Sequence, residues 1–226
     1  MNEATHKKHM LEILTDIYQN PFLAHNLYFK GGTALFLFHD LPRFSTDLDF
    51  DIRAGCGDRN RVFEELKQIV SRYGNLREAT KKRYTFFFLL SYEKYKRTIK
   101  VEASLRNYGH EGVEIKNIFG TDLKVLALDF ICAHKLVALS ERTKARDLFD
   151  AYFILVNDLP INEKIIKIRT GKSLKQFLAH LVQSIEKNFS RQNVLHELAP
   201  IIGDKKKNWV RDHLKKELLK LIKDRK

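Results

Sequence analysis

Cysteine, acidic residues and long apolar runs are all scarce in this chain of 226 residues. Two cysteines, Cys56 and Cys132, are too few for a disulfide framework, and free thiols are the expectation. Apolar runs such as "FFFLL" at Phe86–Leu90 fall far short of the roughly 20 residues a bilayer-spanning helix needs, so no membrane association is expected. The opening "MNEATHKKHMLEIL" has acid before base and no small-residue cleavage site, unlike a secretory signal, which predicts a cytoplasmic protein. Internal repeats and low-complexity segments are also missing. What is present is a globular composition, 44% hydrophobic with 16 Phe, sized for one large domain or two small ones.

Acid is outnumbered by base, 28 to 41, for a net charge of +13. The excess is uneven. From Ile161 onward there are 17 Lys and Arg against 7 Asp and Glu, so +10 of the charge sits there and +3 in the first 160 residues. A basic C-terminal segment, with "GDKKKNW" at its most concentrated point, fits a polyanionic partner such as RNA. A solvated lysine-rich helical face would give the same count.

Pattern divides the chain near Leu123. Before it, helical spacing runs through Met10, Leu14, Ile17 and Tyr18, and Asn26–Lys30 is a short apolar run ending in Gly31-Gly32. "TALFLFHDL" reads as a brief helix capped by Thr33, and Asp58 as the cap of a helix to about Tyr73. Strands are predicted at Phe44–Ile52, Leu76–Lys82, Tyr84–Tyr92, Arg97–Leu105 and Val113–Phe119, with a turn at 109–111. After it, "DLKVLALDFICAHKLVALSE", "TKARDLFDAYFILVND" and at least three further segments read as helices. The last runs through Trp209, Leu214, Leu218, Leu219 and Ile222. The fold class is therefore α+β, with residues 1–122 a mixed α/β core and residues 123–226 a basic helical domain.

Within that core, "RFSTDLDFD" spends three carboxylates at alternating positions in a chain short of acid. Period two places Asp47, Asp49 and Asp51 on one strand face and Leu48 and Phe50 on the other. Adjacent like charges repel, so a cation or water must face them. Gly31-Gly32 at the head of a helix offers backbone N–H groups for a phosphate. Asp47 and Asp49 are hard oxygen ligands suited to Mg²⁺, which takes one or two carboxylates plus substrate phosphates. Glu102, in "TIKVEAS", is a third carboxylate on a later strand. Phosphate cradle, strand-borne D-x-D and remote acid are the parts of metal-assisted phosphoryl chemistry.

The stretch "KGGTALFLFHDLPRFSTDLDFDI" resembles the first motif of the AbiEii/AbiGii-type nucleotidyltransferase toxins of abortive infection, in the DNA-polymerase-β-like superfamily. "ALDFICAHKLVALSERTKARDLFDAYFIL" resembles their helical signature. The resemblance implies a nucleotidyltransferase core of mixed β-sheet and flanking helices, followed by a helical half. Carried over to this chain, Gly31, Gly32, Thr33 and Ser45 would meet the nucleotide, with Lys135 and Arg142 on its phosphates. Asp47, Asp49 and Glu102 would bind Mg²⁺ (or Mn²⁺), and Asp147 would be the acid of the helical motif. Glu102 and Asp129 depart from the residue types expected there, Asp and Glu. Spacing alone puts Lys135 and Arg142 on one face of a continued helix, and makes Asp150 a neighbour of both Arg146 and Asp147.

Other signals fail. "TGKS" at Thr170–Ser173 lacks the first P-loop glycine, since Ile166 stands there. His6 and His9 have no third metal ligand nearby and are expected at the surface. Cys132 belongs to an apolar helical stripe and is expected in the core. Together these observations predict a metal-dependent nucleotidyltransferase that transfers a nucleotide from an NTP to RNA, foremost the 3′ acceptor end of tRNA, with Lys205, Lys206 and Lys207 in contact with the RNA. The resemblance implies a toxin whose modification of tRNA blocks translation and which a cognate antitoxin protein restrains. Two alternatives stay open: a transferase acting on a small antibiotic, and a nucleic-acid-binding protein that keeps the fold without turnover.

Overall fold

The computed structural model describes residues 2–92, 97–109 and 112–225. The turn anticipated at 109–111 includes His110 and Glu111, outside the described residues, and the terminal Lys226 is outside them too. The chain clusters into two compact units. One comprises residues 1–40 and 45–126, and the other residues 41–44 and 127–226. Among the described residues there are eleven helices and seven strands, the strands all in one sheet.

In the first unit the sheet order is β3-β4-β5-β2-β1-β7-β6, with β1 Leu27–Lys30, β2 Asp47–Ile52, β3 Asn75–Lys82, β4 Thr85–Tyr92, β5 Arg97–Ser104, β6 Val113–Ile118 and β7 Thr121–Leu126. It is mixed: β1 pairs parallel with β7 and β2 parallel with β5, while the remaining pairs are antiparallel. One face is greasy. Leu48, Phe50, Phe86, Phe88, Leu90, Ile99, Val101 and Ala103 are all buried there, because β2 and β5 alternate apolar with polar residues and β4 is apolar at the matching positions. Phe63 of α4 (Arg59–Ser71) stacks on Phe86 and Phe88 with centroids 5.3 and 5.0 Å away.

Helix α1 (Glu3–Gln19) starts where the Asn2 side chain accepts the Thr5 N–H, and it buries Met10, Ile13, Leu14, Ile17 and Tyr18 at helical spacing. The Tyr18 hydroxyl ties this helix to the sheet centre. It donates to the Lys124 carbonyl of β7 at 2.7 Å and accepts the Phe29 N–H of β1 at 3.0 Å. Asp58 caps α4, as the sequence predicts, by accepting the Arg61 N–H.

Four local readings are corrected. Residues 121–126 form β7 and not the start of a helix, because Leu123 and Val125 alternate with half-exposed Lys124 and β1 supplies a parallel partner. Helix α3 (Gly31–Phe38) begins at Gly31, so Thr33 is an interior residue and not a cap. The final helical stretch is broken at His213 into α10 (Asp204–Asp212) and α11 (Leu214–Asp224). His6 is buried and not a surface residue. Its Nε2 lies 3.1 Å from the Thr46 carbonyl, which can only accept, so Nε2 carries the proton and Nδ1 accepts from the Tyr92 hydroxyl. Burial pushes its pKa down.

The second unit is helical: α5 Leu128–Glu141, α6 Ala145–Val156, α7 Glu163–Thr170, α8 Leu174–Asn188 and α9 Arg191–Leu198, then α10 and α11. The "TGKS" stretch is a helix junction. Gly171, at φ +70°, ends α7 in the left-handed conformation, and Ser173 opens α8 with a capping box closed by Gln176. Cys132 is fully buried within α5, as its apolar stripe predicts, and both cysteines are free.

Replacing Tyr18 by Phe keeps the ring and deletes the hydroxyl that serves β1 and β7. Because those backbone groups are buried, the expected loss is about 1–3 kcal/mol of unfolding free energy, read by chemical denaturation. An unchanged midpoint would show that the tie contributes nothing.

Candidate active site

The geometry starts from strand β2 and its two neighbours. On one side β1 sets Lys30 opposite Asp49 and Tyr28 opposite Asp51. On the other, β5 sets Lys100 opposite Asp47, Glu102 opposite Asp49 and Ser104 opposite Asp51. Asp47 and Asp49 are half-buried on the polar face while Leu48 and Phe50 are sealed on the other. The alternation therefore does what the sequence implies. It also brings Glu102 directly beside Asp49.

The cations that three adjacent acids require are two lysines. Lys100 Nζ lies 3.0 Å from Asp47 Oδ2, and Lys30 pairs with Asp51, which is fully buried. Asp51 is thus neutralised within the fold, and Asp47, Asp49 and Glu102 are the half-buried members of the acidic set. The pKa of Glu102 is raised, first by burial and then by the charges of Asp49 and Asp47, with Lys100 and Lys82 pulling the other way.

Gly31 is where this site admits one residue type. Its φ is +87°, and a Cβ built on it would come within 3.0 Å of Asp49 Cβ and closer still to the Asp49 carboxylate. Gly32 is buried in the first turn of α3. Thr33 is fully buried as well. Its hydroxyl donates to the Asp47 carbonyl and lies 2.9 Å from Ser45 Oγ. Thr33 and Ser45 therefore hold the start of β2 against α3, and the Thr33 side chain is not presented to a ligand.

Among the described residues, no group of three or more His, Cys, Asp or Glu side chains closes into a metal cluster. Asp47, Asp49 and Glu102 instead form a row of oxygen donors along neighbouring strands. Such a row suits a hard divalent cation that takes one or two carboxylates and completes its shell with water and phosphate oxygens. The donor chemistry fits; a closed cage of protein ligands is not what it offers.

Lys135, Arg142 and Asp147 belong to the helical unit. Lys135 lies on α5 with Nζ 2.8 Å from Asp150 Oδ2. Asp150 is completely buried and is gripped from another side by Arg43, whose Nε and Nη2 donate at 2.6 and 2.7 Å. Burial by itself would raise the Asp150 pKa, but the charges of Arg43 and Lys135 outweigh it and hold the carboxyl down to about 2. Lys135 retains 12% side-chain exposure, so the cluster of two cations and one acid opens narrowly at the lysine. Arg142 does not share a helix face with Lys135, because α5 ends at Glu141 and Arg142 is its extended C-cap. It forks onto buried Asp147 at 2.7 and 3.0 Å instead. Arg43, Lys30, Lys100 and the role of Asp150 escaped the sequence reading. The available signal was slight: Lys100 stands two residues before Glu102, and Lys30 directly precedes the glycines.

The three basic residues assigned to RNA differ in placement. Lys205 and Lys206 are exposed, with Lys206 Nζ 3.3 Å from the Pro42 carbonyl, and Lys207 is half-exposed and paired with Asp204 at 2.7 Å.

Asp150→Ala would leave Arg43 and Lys135 without their counter-charge. A loss of about 3–5 kcal/mol is expected in denaturant unfolding. The pH dependence follows from a folded-state pKa below the unfolded value. Stability from Asp150 is complete above about pH 4 and drains away as pH falls toward about 2. An Asp150→Asn variant should lose that part of the acid sensitivity in pH-dependent melts.

Comparison with known proteins now bears on this geometry. Residues 12–216 match the family model described as the nucleotidyl transferase AbiEii toxin of a type IV toxin–antitoxin system. Curated protein sequences give no match. Similar solved structures include a candidate nucleotidyltransferase from H. pylori, at 21% identity and TM-score 0.57, covering 99% of this chain and 97% of that one. JHP933 from Helicobacter pylori has 21% identity and TM-score 0.56, with coverage of 99% and 94%. The nucleotidyltransferase toxin MenT4 from Mycobacterium tuberculosis H37Rv has 19% identity and TM-score 0.59, with coverage of 98% and 84%. At these identities the structures speak for the fold, which is that of a nucleotidyltransferase, while the family model spans most of the sequence. The chain belongs to the AbiEii nucleotidyltransferase toxin family.

Proposed function

We propose that this toxin transfers a nucleotide from an NTP to the 3′ end of an RNA, foremost tRNA, with Mg²⁺ or Mn²⁺ bound at Asp47 and Asp49, and that this modification blocks translation in the cytoplasm. The observation that carries the reading is the strand register that sets Glu102 beside Asp49 and, two residues along, Asp47 beside Lys100, all at the head of the Gly31 turn. Asp47 and Asp49 would hold the cation, and Glu102 would add a third carboxylate. The bound cation would supply charge neutralisation for the triphosphate and acidify the attacking hydroxyl. Backbone N–H groups at Gly31 and Gly32, on a helix of eight residues, face the phosphates. Lys100, beside Asp47, is a point charge that would be available to the same phosphates. The family resemblance implies that Lys135, paired with Asp150, would be a further phosphate contact. An antitoxin partner follows from the family's toxin–antitoxin character.

The class is tested by incubating the protein with total RNA, Mg²⁺ and each labelled NTP in turn. Labelled tRNA supports the reading, whereas label only on a small acceptor such as an aminoglycoside would replace it. Asp49→Asn should abolish labelling with a melting temperature equal to or above wild type, since one carboxylate beside Glu102 loses its charge. Labelling at near wild-type rate would sink the metal assignment.

The basic helix α10 supplies a second test. If Lys205, Lys206 and Lys207 meet RNA phosphates, affinity falls with salt at a log–log slope of about −0.9 per phosphate neutralised on a duplex. Reversing all three charges should flatten that slope and raise the KM for RNA, leaving the KM for NTP unchanged. Slopes that coincide would assign these lysines to a solvated or antitoxin-facing surface.

A further inference from the structure

The acid-bearing face of the sheet does not end at Glu102. Register continues the row from Asp49 through Glu102 of β5 to Phe87 of β4 and Thr80 of β3. Strands lie about 4.8 Å apart, so Phe87 stands about 10 Å from Asp49 on the same face. Unlike its neighbours Phe86 and Phe88, it is only half-buried. Lys82 covers it, with Nζ 3.7 Å from the ring centroid, a half-exposed side chain that lies 4.0 Å from Glu78. Contacts this exposed are weak, so the lysine can swing off the ring.

A second aromatic sits where the β3–β4 hairpin turns. Tyr84 is 43% exposed, and two guanidinium groups lie over its ring: Arg83 with Cζ at 4.9 Å and Arg106 with Cζ at 5.2 Å. Arg106 is four residues beyond Glu102, two past the end of β5. Aromatic rings accompanied by cations, running outward from a row of carboxylates, match the chemistry of an unpaired nucleic-acid strand. Its bases need flat surfaces to stack on, and its phosphates need positive charge. A duplex hides its base faces and would gain only the charges. Edge protection against sheet pairing accounts for lysines on β3, but not for two arginines gathered on an exposed tyrosine.

We propose that Phe87, Tyr84, Lys82, Arg83 and Arg106 form a platform for the single-stranded 3′ end of the RNA acceptor, which delivers its terminal hydroxyl to the Asp47–Asp49–Glu102 row. The placement of that hydroxyl rests on the transfer reading above; the binding of a single strand does not. The base next to the reacting nucleotide stacks on Phe87 after Lys82 moves to the adjoining phosphate. The strand then leaves along Tyr84 between Arg83 and Arg106.

The test uses the full chain and a fluorescein-labelled single-stranded RNA oligonucleotide, with a blunt duplex of the same sequence as control. Affinity is read by anisotropy without NTP or metal. Wild type should prefer the single strand. Tyr84→Ala and Phe87→Leu should each weaken it roughly five- to hundredfold, the range expected for one lost stacking partner, while duplex affinity hardly moves. Tyr84→Phe, which keeps the ring, should bind as wild type does, and melting curves confirm that each variant folds. Equal affinity in wild type and both ring-removing variants overturns the platform and leaves the lysines as edge protection. A raised KM for NTP with unchanged RNA affinity also overturns it, making Phe87 part of the triphosphate's base pocket. Single-strand preference lost in the variants supports it even if no nucleotide transfer is detected, in which case the transfer reading fails alone.

Discussion

Gly31 has no side chain, and the Asp49 carboxylate occupies the space one would fill. The layout of the polar sheet face depends on that approach. It lets β1 turn into α3 directly above β2, which sets the first helical N–H groups close to an acid. Thr33 then secures the arrangement from below through the Asp47 carbonyl and Ser45. A larger residue would be strained at φ +87° and would also push Asp49 away from Glu102. The geometry is therefore over-determined by backbone and hydroxyl contacts.

Charge on this face is balanced in two different ways. Asp51 is paired once and for all with Lys30 inside the fold, whereas Asp47 meets Lys100, a half-exposed lysine. The first pairing offsets one of three crowded acids, which limits the repulsion the strand must carry. The second is exchangeable, since a partly solvated ion pair contributes little and yields to a divalent cation or a phosphate. The raised pKa of Glu102 reflects its burial first and then the charges of Asp49 and Asp47.

The helical unit meets the opposite problem, a buried acid that needs positive charge. Arg43 reaches Asp150 from a four-residue segment, Leu41–Phe44, that clusters with the helices although it lies between α3 and β2 in sequence. Its bidentate fork and Lys135 together satisfy a carboxylate whose pKa burial alone would raise. The surplus positive charge of that trio is carried at Lys135, the member nearest solvent.

Local pattern was sufficient for much of this protein. Alternation in "DLDFD" separates the polar face from Leu48 and Phe50, and helical spacing finds α1; the cap Asp58 acts locally, so its neighbours suffice to define it. The family likeness rests on the stretch that holds "DLDFD" and on the helical one around Lys135. What the sequence could not supply were pairings between residues far apart in the chain. Lys135 and Arg142 share a helical period, yet α5 stops at Glu141 and each cation finds its own aspartate. Leu123 and Val125 fit either period over so few residues, and the partners β6 and β1 on the two sides make the segment a strand. His6 looked like a surface histidine until Tyr92 and Thr46, contributed by other strands and loops, enclosed it. Periodicity is a property of a segment and is written in it, whereas register and ion pairing are properties of two segments brought together, which only the tertiary structure decides.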